Sequence, residues 1–149
     1  MLRRSLVTGV FGAFALALTR PAFAGSYLDR AALLLEGSRK DQTELRAKIM
    51  DKELAKVVRI VAQGRLEAAS QMDVPAQVAK AHPHLLLALT KVERAAQAAV
   101  DGNIRTVVEL LDAATREEGV FKSALKELGF PLPRPAHDAD LRSDAQSVP

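Results

Sequence analysis

The chain has no cysteine and no tryptophan, and only one tyrosine and three histidines among its 149 residues. Without cysteine there can be no disulfide, iron–sulfur cluster, thiolate zinc site, c-type haem attachment or cysteine nucleophile. Aromatic residues are scarce as well. Three of the five phenylalanines, Phe11, Phe14 and Phe23, fall in the first 24 residues, which leaves Phe121 and Phe130 with Tyr27. No aromatic platform for stacking sugars or bases follows from so few rings. Also missing are a Gly-x-Ser-x-Gly elbow and a glycine-rich phosphate loop, so neither of these motifs for nucleophilic and phosphoryl-transfer chemistry is present. No segment alternates with period two over the length of a strand, which argues against a sheet.

What is present begins with an address. Arg3 and Arg4 form a positive start, Leu6 to Leu18 is uncharged and apolar, and Ala22-Phe23-Ala24 gives the small-x-small pattern read by signal peptidase. The apolar run falls short of the ~20 residues a membrane-spanning helix requires. Residues 1–24 are expected to be a cleavable signal peptide. The mature chain then starts at Gly25 in an extracytoplasmic space, periplasmic or secreted, with no integral membrane segment. Arg3-Arg4-Ser5-Leu6-Val7 resembles the twin-arginine pattern, so both that route and the general secretory route remain open.

The leader also accounts for the charge. The whole chain is +3, but three of its 21 basic residues and none of its 18 acidic ones lie before Gly25. The mature chain is neutral. Phosphate backbones require surplus, clustered cations, so a nucleic-acid partner is excluded.

The spacing of apolar residues predicts an all-α fold, an up-and-down antiparallel bundle over residues 25–130. Ser26 and Asp29 form a capping box before Leu28, Ala31, Ala32 and Leu35. Gly37 is placed to stop that helix, and Asp41 with Glu44 to start another at Gln42. The preferred reading is therefore a short first helix, a turn at Gly37 to Lys40, and a new helix from Gln42; the rival is one kinked helix from Tyr27 to about Met50. From Gln42 to Met72 no proline intervenes, and Met50, Leu54, Val57, Val61, Gly64, Ala68 and Met72 define one stripe. A hairpin near Asp51 decides between three long helices plus a short one and four of similar length. After a short turn of helix at residues 74–81, a helix over 83–101 should bury Leu85, Leu89, Val92, Ala96 and Ala99. Gly102-Asn103 is a tight connection. The last helix, residues 104–128, should bury Val107, Leu111, Ala114, Phe121, Leu125 and Leu128. Residues 131–149 are proline-rich and then polar, expected to be a disordered tail.

Few constellations carry chemistry. His82-Pro83-His84 places two imidazoles two residues apart with the intervening backbone biased to be extended, a pattern that can share copper, nickel or zinc. His137, Asp138 and Asp140 in the tail would supply further ligands. The simpler reading is a solvated helix start. Met50 or Met72 with these histidines makes a poor b-type haem site, because both histidines sit beside a proline at a helix end. No glutamate has a histidine three residues on, which excludes ferritin-like di-metal sites. No cofactor is expected. Glu118 falls on the buried stripe of the last helix, where a carboxylate must be paired or protonated. Arg65 is its conceivable partner, although the favoured reading puts Glu118 at the edge of the stripe, reaching water. Gly64 is expected to allow close helix approach under Phe121. The functional expectation is a non-enzymatic bundle that binds a protein partner, with metal binding at His82 and His84 as the alternative.

Overall fold

The computed structural model describes residues 20–133; residues 1–19, most of the expected leader, and residues 134–149, with His137, Asp138 and Asp140 of the expected tail, lie outside the described residues. The described residues form four helices and no strand: α1 (Arg20–Ala47), α2 (Lys52–Ser70), α3 (His82–Val100) and α4 (Ile104–Glu127). They pack as an all-α bundle in which α3 is central and lies against both α2 and α4, while α1 lies across α2 and α3 and touches α4.

The two ends of the chain's helical pattern differ in how they are specified. Between α3 and α4, Gly102 adopts φ 78°, and the amides of Gly102 and Asn103 return to the carbonyls of Ala99 and Ala98. This closes α3 by a Schellman arrangement. Asn103 then caps α4 by accepting from the Thr106 amide at 3.2 Å. Gly129 at φ 83° closes α4 in the same manner, with Phe130 N–H on the Leu125 carbonyl. Phe130 and Leu132 fold back to cover the bundle end.

The first half departs from the preferred expectation. α1 runs unbroken through Gly37, and neither Ser26 nor Asp41 acts as a cap. A helical glycine costs about 1 kcal/mol relative to alanine, but here the missing Cβ makes room for a neighbouring side chain, and Asp41 is engaged with that same neighbour. The chain instead turns at residues 48–51. Asp51 caps α2 through the Leu54 amide at 3.0 Å, so the hairpin forms with neither glycine nor proline and the bundle has four helices.

The α2 stripe was expected one face too far round. Ala55, Val58, Ala62 and Ala69 are buried, whereas Met50, Val57 and Val61 are exposed, Val57 at 59%. α2 carries two apolar faces, and the one with smaller side chains turns inward because it meets the alanine-rich surface of α3 (Ala88, Ala95, Ala96, Ala99) at close range. Gly64 lies in the open, with nothing near a Cβ built there, rather than beneath Phe121.

In α3 and α4 the expected core residues are buried, except Leu128, which remains partly exposed just after the end of α4. Phe121 sits fully buried among Tyr27, Leu35, Leu85, Leu89 and Leu125 at one end of the bundle. Leu45, Val58, Val107 and Leu111 fill the other end. Residues 76–81 form turns rather than a helix, with Val78 and Ala81 plugged into the Phe121 cluster.

Candidate functional site

Glu118 is buried, 6% exposed, and it is paired, although not with Arg65. From α1, Arg39 donates through Nε at 2.7 Å and again through Nη2; from its own helix, Lys122 reaches the same oxygen at 2.5 Å. Burial alone would push this carboxyl up, but the hydrogen bonds from Arg39 and Lys122, with their charges, outweigh it and hold the pKa below the ordinary carboxylate value. The same bond raises the Arg39 guanidinium. The expectation that Glu118 reaches water is therefore corrected: Arg39 reaches in to it.

This pair is one rung of a polar seam. Thr115 of α4 donates to the Gln42 Oε1 at 3.2 Å, and Arg46 bonds Asp112 at 2.8 Å. Residues 39, 42 and 46 recur at helical spacing on α1 and meet 118, 115 and 112 in descending order on α4, the signature of an antiparallel register. Such a seam selects one alignment, since a shift of α1 by one turn takes Arg39 away and leaves the buried Glu118 with Lys122 alone.

On the other edge of α1, Arg65 of α2 crosses to Asp41. Its guanidinium lies where a Cβ on Gly37 would stand, with Nε 2.5 Å from that position. Burial raises the Asp41 carboxyl, and Arg65 offsets only part of that.

The two histidines are divided between different neighbours. His82 Nδ1 is 3.0 Å from the Tyr27 hydroxyl, the rings meeting edge to face. Tyr27 is the donor if the ring proton is on Nε2. Burial lowers the His82 pKa and raises that of Tyr27 to about 12, so both are neutral near pH 7. His84 Nδ1 instead lies 3.0 Å from Glu117 on α4. The pair is thus drawn toward α1 and α4 respectively, and no group of three possible ligand residues comes together among the described residues.

One face without an internal partner is apolar. Leu33 of α1 is 68% exposed and Ile60 of α2 is 63% exposed, with Val57 and Val61 beside it. Val57, Ile60, Val61, Gly64 and Ala68 share the outer face of α2 by helical spacing. Ala68 leads into a groove of about 450 Å³ between α1 and the end of α2, lined by Arg30, Leu33, Leu34, Gln71 and Met72. Apolar spacing by size alone turns these valines inward; the signal that turns them outward is the run of alanines at 55, 62 and 69. No helix of the described residues is long and apolar enough to cross a membrane. The chain matches no protein-family model, no curated protein and no solved structure.

Proposed function

We propose that the chain is an exported helical bundle that acts by binding a protein partner, with no chemistry of its own. The observation that carries this reading is the outer face of α2 together with the groove at Leu33 and Met72. Contiguous exposed apolar surface rimmed by polar residues is what docking sites present and what ordinary solvated helix faces lack. The charged groups inside the bundle support the same view from the other side: Glu118, Asp41 and Arg65 are used up in holding α1. Export rests on the leader pattern of residues 1–24.

The test is mild cross-linking in the native host, followed by affinity purification of the wild type and of Ile60→Glu. A partner recovered reproducibly with the wild type and lost with the variant is the expected result; identical recoveries overturn it. Transition-metal binding through His82 and His84 is the second reading, and it has less support because each Nδ1 already faces a partner. Calorimetry with Cu²⁺, Ni²⁺ and Zn²⁺ tests it, and no binding below ~10 μM retires it.

A further inference from the structure

We infer that the partner of the α2 outer face is a second copy of this chain, packed antiparallel about a two-fold axis that passes between Val61 and Gly64. This rests on the reading of that face as a docking surface and says what covers it.

Shape and charge along this single helix suit a second copy of itself. When two α2 helices lie antiparallel, residue i of one faces the residue that mirrors it across the axis. With the axis between Val61 and Gly64, Val61 faces Gly64 of the second copy and Val57 faces its Ala68. Both large residues then meet small ones, and the two-fold repeats each contact. Gly64 is the hole this arrangement needs: it is exposed and has open space where a Cβ would stand. Ile60, one position from Val61, covers the rim of the same hole.

The flanking polar residues fit the same axis. Lys56 falls within two positions of Glu67 of the second copy, the two sharing one flank of α2 by helical spacing. Within one copy Lys56 is paired only with Glu53, and Glu67 with Gln63, all at the surface, so these groups are available to a second chain. A parallel pairing would instead put the Lys56–Glu67 flanks of the two copies on opposite sides of the interface and bring no such pair together. Charge thus favours the antiparallel alignment.

Area sets the strength. α2 has 19 residues, about 28 Å of helix. A face that long buries roughly 600–800 Å² in total, below the size of standard specific complexes and in the range of weak, transient ones. The dimer should therefore be concentration-dependent, with a Kd on the order of 10–100 μM.

Three measurements on the purified full chain test this. Sedimentation from about 1 to 500 μM should pass from monomer to dimer across the range set by the small interface. Lys56→Glu and Glu67→Lys should each weaken the dimer by about threefold or more, and the double variant should restore it, as expected of paired opposite charges. Because the chain has no cysteine, single cysteines report position: Val57→Cys mixed with Ala68→Cys should cross-link under a short thiol reagent, and Val57→Cys alone should not. A chain monomeric throughout, or Val57→Cys cross-linking to itself, overturns the inference. A monomer whose host partner is still lost on Ile60→Glu overturns it while leaving the docking reading intact; Ile60→Glu without effect on either removes both.

Discussion

The guanidinium of Arg65 on α2 occupies the space that a side chain at Gly37 on α1 would fill, and from there it binds Asp41 one turn further along α1. One missing Cβ thereby joins two helices. It also explains why a residue that ordinarily ends helices lies inside one: the contact across the bundle repays the cost of glycine in mid-helix.

Gly37→Ala tests that relationship because two effects oppose each other. Helix propensity alone favours alanine by about 1 kcal/mol, while the added methyl displaces Arg65 from its place. We expect Gly37→Ala to lie within about 1 kcal/mol of neutral in the wild type, because what must move is the flexible end of Arg65 and its displacement offsets the gain in propensity. In an Arg65→Ala background the same substitution should stabilise by up to about 1 kcal/mol. Urea denaturation of the four proteins gives the coupling, and additive effects would contradict the packing described.

Arg39 is half exposed and Glu118 is not, so the two ends of their bond are unequal. Arg39→Ala leaves a buried carboxylate with Lys122 alone and should cost about 1–3 kcal/mol. Glu118→Gln keeps the shape and leaves Arg39 free to reach water, and should cost less. Thermal unfolding of both variants checks the order.

Stability should fall in two steps as the solution is acidified. The folded-state pKa of His82 lies below its ordinary value of 6.5, so the unfolded chain takes up that proton first. The stabilisation from neutral His82 is complete above about pH 6.5 and is lost as pH drops through its folded pKa. Glu118 is likewise depressed from 4.5, and its contribution disappears lower, through the carboxylate range. Asp41, whose pKa is raised, works in the opposite sense there and softens the second step. Denaturant midpoints between pH 7.5 and 3 should show both limbs, and His82→Gln should flatten the upper one.

Asp51 is the sole side-chain cap at the start of α2. Asp51→Ala should cost about 1 kcal/mol, and Asp51→Ser should recover most of it. Equal losses for both would mean that the turn at residues 48–51 is fixed by packing rather than by the cap.

These cases also mark how far the residues alone could be followed. The limits of α3 and α4 lie within one position of those expected, because Gly102, Asn103 and Gly129 act locally and no tertiary contact opposes them. Gly37 carries the same kind of signal and is overruled by a residue 28 positions away. The valines of α2 were placed inside because hydrophobic patterning weighs size, whereas close packing against α3 selects alanine. Glu118 could be found from its position on the α4 stripe, but not its partner, since Arg39 is brought to it only by the register of α1 on α4. His82 and His84 are neighbours in the chain yet belong to different helix pairs, which only the topology decides.

A protease that severs the bond between Ala24 and Gly25 must hold the residues on either side stretched out in its cleft. Those residues form the opening turns of α1, and Ala24 is buried in the fold. At that one peptide bond, trimming and coiling exclude each other. Were the chain cut there while still extended, its helix would start at Gly25, with a new ammonium group at the positive end of the helix. A chain that coils first shields that bond from any such cut.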